Sequence, residues 1–129
     1  MWLKKGVRLL EEEQGIGAPV EYNQYYLFAI RITLNRGEIV QHPDKCLGHQ
    51  LDDYFKIEKD GYFQFNARYH RENFVGGIFY AMRGMKVGGF RKVVIGPHLA
   101  FGEVGIPDII PKNAKLRVEI KVLDLMAEH

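Results

Sequence analysis

Cys46, five histidines (His42, His49, His70, His98 and His129) and the carboxylates Asp52, Asp53, Glu58 and Asp60 are the side chains of this chain that could serve as nucleophile, metal ligands or an acid–base pair. Their spacing assembles none of these chemistries. A reactive thiol needs surroundings that lower its pKa; Cys46, between Pro43 and Gly48, reads more simply as a small structural residue. The histidines sit in different segments without ligand spacing, and surface solvation is their default, so no metal and no other cofactor is expected. The acidic group lacks the alternating pattern of a calcium loop and reads as a solvated turn. Gly76-Gly77 is not followed by Gly-Lys-Ser/Thr, which excludes a phosphate cradle of that type.

The most carefully shaped stretch, GGFRKVVIGPHLAFGEVGIPDIIPKNAKLRVEIKVLDL, is poor in reactive groups. It reads as strand, proline turn, glycine loop, second proline turn and strand. Whatever it does, it does by shape.

At 129 residues the chain is expected to form a single domain over 1–129, with 47% hydrophobic residues enough for a core and 26% charged residues to keep the surface wet. The net charge is +2, with Lys and Arg scattered among Asp and Glu; only Lys4-Lys5 and Glu11-Glu12-Glu13 cluster. That balance gives no electrostatic reason to expect nucleic acid or an anionic membrane as partner. One cysteine leaves no internal disulfide framework and fits a reducing compartment, hence a cytoplasmic setting. MWLKKGVRLLEEEQG carries no apolar run long enough for a signal peptide or a membrane span.

The elements follow from periodicity. Residues 2–10 read as one short strand ending in a polar turn over 11–17. Residues 25–34 alternate, with Phe28, Ile30, Ile32 and Leu34 on one face and Ala29, Arg31 and Thr33 on the other, as a half-buried antiparallel strand does. Asn35-Arg36-Gly37 supplies hairpin chemistry before a second short strand over 38–41. Residues 47–57 have room for one short helix, and 63–66 read as a strand. From Asn73 to Met85 the apolar residues Phe74, Val75, Ile78, Met82 and Met85 recur at helical spacing, with Asn73 placed to cap. Gly76, Gly77 and Gly84 weaken such a helix by about 1 kcal/mol each, which points to close packing or mere tolerance. Strands over 90–95 and 115–123 close the chain. Strands in succession around one helix indicate an α+β fold built on an antiparallel sheet.

The C-terminal half resembles the FKBP family, the macrolide-binding peptidyl-prolyl isomerases. The residues that carry the resemblance are Gly84-Met85-Lys86-Val87-Gly88, Arg91-Lys92, Pro97-His98-Leu99-Ala100-Phe101-Gly102 and Ile110-Pro111-Lys112-Asn113-Ala114, continuous from Gly84 to Leu125. Gly6-Val7 and the hairpin Leu34-Asn35-Arg36-Gly37 fit more loosely, and the stretch 43–62 is longer than in a minimal member. The resemblance implies a half-barrel, a five- to six-stranded antiparallel sheet curled around one short helix with an apolar pocket between them. It also implies isomerase activity on X–Pro bonds in peptides or unfolded protein, by a monomer. Rotation about such a bond has a barrier of ~20 kcal/mol and breaks no bond, so no nucleophile is needed.

Carried over residue by residue, the resemblance assigns catalytic positions to Val75, whose backbone N–H would receive the substrate carbonyl, to Phe101 and to Gln41. It assigns pocket walls to Ile30, Val40, Phe63, Phe65, Phe74, Ile78, Ile109, Ile110 and Val118. Ile109-Ile110-Pro111 keeps the family's pattern. Ile30, Val40-Gln41, Ile78 and Val118 replace a tyrosine, a Phe-Asp pair, a tryptophan and a phenylalanine, and Phe101 keeps a ring but lacks the hydroxyl. The shrunken walls need a neighbour such as Phe74, Phe79 or Phe90 to fill them, and weak macrolide binding is expected. Two functions stay open: a slow prolyl isomerase, or a non-catalytic protein-binding or chaperone module on the same scaffold.

Overall fold

In the computed structural model, which describes residues 1–41, 46, 47 and 55–126, the strands are β1 (Trp2–Lys4), β2 (Val7–Glu13), β3 (Tyr25–Leu34), β4 (Phe55–Ile57), β5 (Phe63–Arg68), β6 (Phe90–Ile95) and β7 (Leu116–Leu125). A single α-helix, α1 (Gly76–Met82), precedes β6. All seven strands pair antiparallel in one sheet of order β1-β2-β6-β7-β3-β5-β4. The two longest, β3 and β7, lie side by side at its middle, in register from Leu34 opposite Leu116 to Phe28 opposite Val122.

Alternation decides which face of the sheet is wet. Because side chains change face at every residue, residues in register share a face across the whole sheet. One inner row runs Arg91, Ile120, Ile30, Phe63, and another runs Val93, Val118, Ile32. Except for Arg91, these side chains are fully buried. The opposite face carries Arg31, Thr33, Lys92, Arg117 and Glu119, of which Arg117 is exposed and the others are half-buried.

Several elements differ from the sequence reading. Seven strands stand where five or six were expected. Residues 2–13 form two strands, because Gly6 turns the chain at φ +91 and Glu11–Glu13 stay extended against β6. Residues 38–41 make no strand; Ile39 forms an isolated bridge to Thr33, with Val40 N–H donating to Ile32 O at 2.9 Å. Of the helix read over 47–57, residues 48–54 lie outside the described residues, and 55–57 are the strand β4. The expected insertion over 43–62 likewise falls partly outside them.

The helix is also shorter than its apolar period. Asn73 does not cap it. It ends a 3-10 turn over Arg71–Asn73 and donates from Nδ2 to Arg68 O at 3.0 Å. Phe74 remains extended, held in a bridge to Leu47, so the helix begins only after Val75. Gly84, at φ +81, closes the far end in a conformation that favours glycine.

With seven residues α1 is too short to be stable alone, and packing on the inner face must hold it. Ile78, Ala81 and Met82 have 0% exposure, and burial of a side chain the size of Ile or Met stabilises by roughly 1.5–3 kcal/mol. Gly77 makes the approach possible: a Cβ there would lie 2.2 Å from Ile95 Cγ2 and 2.9 Å from Leu99 O. At Gly76 the nearest atom would be Leu99 Cδ2 at 3.5 Å, an ordinary contact. Arg91 holds the other end. Its Nη1 donates to Ala81 O at 2.9 Å and Arg83 O at 2.6 Å, and its Nε donates to Glu12 Oε2 at 2.6 Å.

Gly77→Ala is expected to lower stability by about 1–3 kcal/mol through overpacking, while Gly76→Ala stays close to wild type; denaturant midpoints measure both, and equal midpoints would refute the close approach. Arg91→Met, which keeps the stem, is expected to lose about 2–3 kcal/mol by stripping charge-assisted hydrogen bonds from the helix end and from Glu12. Arg91→Lys should fall between, since an ammonium cannot reproduce the guanidinium fork; a neutral Arg91→Met would show that solvent replaces the clamp.

Candidate functional site: the cleft between the helix and the sheet

The start of α1 meets the proline turn after β6. Leu99 O lies against Gly77, and the 3-10 turn Pro97–Leu99 leads into Ala100 and Phe101. The following loop folds back on itself: Gly105 N–H donates to Phe101 O at 2.9 Å, Ile106 N–H to Ile110 O at 2.9 Å, and Asn113 N–H to Gly102 O at 2.8 Å. Gly105 sits at φ +66, and a Cβ there would meet Ile110 O at 2.4 Å, so glycine is required for this closure. Val75 and Phe101 thus flank the contact between α1 and the Leu99 turn, and Ile109 lies in the loop that folds back on Phe101; each is half-buried and packed on the core.

Val75 is the N-cap of α1, at φ −62 and ψ 153. The helix provides no internal acceptor for the N–H at that position. The backbone N–H at the mouth of the helix is thus left unused by the helix itself, whatever side chain Val75 carries.

The remaining residues assigned to the pocket form a continuous floor. Ile30 faces Phe63 across β3 and β5, and Ile32 faces Val118 across β3 and β7, with Val40 tied to Ile32. Phe63 stacks on Phe65 at 5.3 Å between centroids; Phe65 lies 6.1 Å from Phe74, which meets Phe28 edge-on at 5.6 Å. Ile30, Phe63, Phe65, Ile78 and Val118 show 0% exposure, and Val40, Phe74 and Ile110 no more than 4%. Of the three expected fillers only Phe74 joins this group. Phe79 stacks on Tyr69 at 4.6 Å, and Phe90 lies on the outer face opposite Lys121. Gln41 is not brought in: it is exposed, and its amide donates to Ile39 O at 3.3 Å.

Chemically, this is an apolar rim of Val75, Phe101 and Ile109 over a covered aromatic and aliphatic floor. Among the described residues no three His, Cys, Asp or Glu side chains gather to hold a metal. No described helix is long and apolar enough to cross a membrane. Ile106 and Leu34 also belong beside the rim, both half-buried. Sequence reasoning passed over them because only the folding-back of the loop places Ile106 near Ile110 and the end of β3.

Two tyrosines flank the core. Burial pushes the Tyr69 hydroxyl up to about 12; it donates to Phe79 O at 2.8 Å and so steadies α1. Burial, reinforced by Glu119, also pushes Tyr62 up to about 12, although Arg31 and Lys121 lie over its ring at 4.8 and 4.2 Å. Arg31 in turn is raised by its hydrogen bond to Glu119.

Comparison with known proteins places this geometry. A family model described as FKBP-type peptidyl-prolyl cis-trans isomerase matches residues 44–123, a range that includes most of the long 43–62 stretch. The peptidyl-prolyl cis-trans isomerase FKBP16-4, chloroplastic, of Arabidopsis thaliana is 38% identical over 43% of this chain and 24% of its own length. The human peptidyl-prolyl cis-trans isomerase FKBP10 is 27% identical over 59% of this chain and 16% of its own. The chain thus spans a quarter or less of these relatives. Among solved structures, AtFKBP13 superposes with a TM-score of 0.70 at 17% identity, covering 95% of this chain and 94% of the other. FkpA from Escherichia coli gives 0.65 at 22%, covering 92% and 46%.

The tyrosine shifts have a sign. An unfolded tyrosine loses its proton near 10.0, whereas Tyr62 and Tyr69 keep theirs to about 12. Their contribution is fully present below pH 10 and is lost as pH rises from about 10 to about 12, where the unfolded state binds fewer protons. Denaturant midpoints should fall across that window, and less steeply in Tyr69→Phe. Native tyrosinate absorbance that titrates fully near pH 10 would contradict the assignment.

Proposed function

The chain belongs to the FKBP-type peptidyl-prolyl cis-trans isomerase family, and from that premise we propose that it catalyses, slowly, cis–trans rotation about X–Pro bonds in peptides or unfolded polypeptide. The observation that carries the reading is the rim: an apolar ring and two aliphatic side chains half-open to solvent beside a helix N-cap donor.

Rotation demands loss of amide resonance, with a barrier of ~20 kcal/mol and uncatalysed times of tens of seconds. The twisted imide is less polar than the planar one, so desolvation against Phe101 and Ile109 favours the transition state over the ground state. Val75 N–H holds the carbonyl of the residue before proline while the proline ring turns. Ile78, Ile30, Phe63, Phe65, Phe74, Val40, Ile110 and Val118 act as the rigid floor beneath. Rate enhancement is modest because side chains that would clamp the ligand carbonyls are absent. The protein works as a monomer, without cofactor, nucleic acid or membrane, and its single cysteine accords with the cytoplasm.

One observation favours the alternative, a non-catalytic protein-binding or chaperone module. Ile30, Phe63, Ile78 and Val118 have no accessible surface for a proline ring to touch. The two readings part on a rate. NMR exchange spectroscopy on an Ala-Leu-Pro-Phe peptide reads interconversion directly. Accelerated exchange that Phe101→Ala cuts about ten-fold, equivalent to ~1.4 kcal/mol of barrier, is expected. An unchanged rate with folded protein would establish the binding module instead.

A further inference from the structure

Cations that the sequence scatters are gathered by the sheet. On the outer face Arg117 of β7 lies between Val94 of β6 and Thr33 of β3, and Lys92 of β6 lies beside Glu119 of β7. Arg31, Arg36, Lys92 and Arg117 line a groove of about 380 Å³ with Thr33 and Glu119. Glu119 is already committed to Arg31. Among the described residues no ion pair engages Lys92 or Arg117, and Arg36 has only an exposed contact to Glu38 at 3.5 Å.

This groove continues into a second one. Where the hairpin after β3 faces the loop over 104–112, a depression of about 450 Å³ is lined by Leu34, Ile106, Pro107, Ile109 and Ile110, and Arg36 borders it too. Ile109 and Ile110 belong to the candidate cleft. The two depressions share Arg36, and taken together they make a trough from Ile109 at the cleft rim, over an apolar stretch, to Lys92 and Arg117.

We propose that this trough binds an acidic segment of the polypeptide whose X–Pro bond occupies the cleft, with an apolar side chain against Leu34 and Ile106 and carboxylates at Arg36, Lys92 and Arg117. The proposal rests on the isomerase reading of the cleft. Charge complementarity and continuity with the rim select this occupant. A nucleic-acid backbone, with one charge per ~1.7 Å of duplex, cannot keep its charges clear of Glu38, Asp108 and Glu119 along the same walls, whereas a peptide can place uncharged residues there. An extended peptide advances up to ~3.3–3.6 Å per residue and offers apolar side chains for the first part of the trough.

The test compares Ala-Leu-Pro-Phe peptides carrying an Asp-Glu-Asp or a Lys-Lys-Lys tail, placed before the proline in one pair and after it in another. At low salt the acidic tail on one side is expected to raise kcat/KM about ten-fold over the basic one, the scale of a few exposed ion pairs. High salt and the double variant Arg36→Gln/Arg117→Gln, checked for an unchanged melting temperature, should bring the ratio near one. Equal kcat/KM for both tails at both placements overturns the trough. If no peptide is isomerised, anisotropy titrations of the same peptides carrying fluorescein decide separately. Tighter binding of the acidic tail, lost in the double variant, keeps the trough and removes the isomerase reading; equal binding removes both.

Discussion

A helix of seven residues cannot hold itself together, so the arrangement of this molecule depends on what grips its ends. At the C-terminal end the grip is one guanidinium. Arg91 comes up from the inner face of β6, reaches the carbonyls of Ala81 and Arg83, and is balanced by Glu12 from β2. At the other end Gly77 lets the helix rest on Ile95 and on the Leu99 carbonyl. Tyr69 adds a third tie through Phe79 O. With both ends fixed, the N-cap at Val75 faces the turn that carries Phe101, and Ile78 is pressed into the floor. The position of the Val75 N–H is thus a consequence of how α1 packs on β6 and the Leu99 turn.

The cleft itself contains geometry and very little reactivity. The rotation proposed above breaks no bond and asks for nothing more reactive: it needs a site drier than water and a donor suited to a twisted imide. The floor and rim divide that task. Ile30, Ile78 and Val118 are fully covered, and Phe74 packs into the same aromatic group as Phe28 and Phe65. What remains for a ligand is the half-buried edge formed by Val75, Phe101 and Ile109, with the trough toward Arg117 extending it. Under the proposed reading, a shallower contact on a proline would shift the burden of recognition to the residues flanking it.

Much of the fold was legible because it is written in period and punctuation. The alternation of β3 named its buried face correctly, and Gly-Pro boundaries framed β6. The family pattern from Gly84 to Leu125 anticipated the loop that Gly105 closes. The helix boundaries were misjudged because apolar spacing continues through Phe74, whereas the backbone there is extended by a bridge to Leu47, a partner distant in sequence. The capping role given to Asn73 failed for the same reason. Gln41 could be aligned with a pocket position but not oriented, since its side chain is turned back to the carbonyl of Ile39.

The sequence by itself determined the antiparallel α+β architecture, the family and the list of apolar residues around the cleft, because local propensity and side-chain period are properties of short segments. Which of those residues a ligand can touch, which glycine is needed for contact, and how scattered cations form one basic groove were decided only by the tertiary structure. Exposure and charge proximity depend on what lies across the sheet, and strands paired in register place side by side residues as far apart in the chain as Thr33 and Arg117.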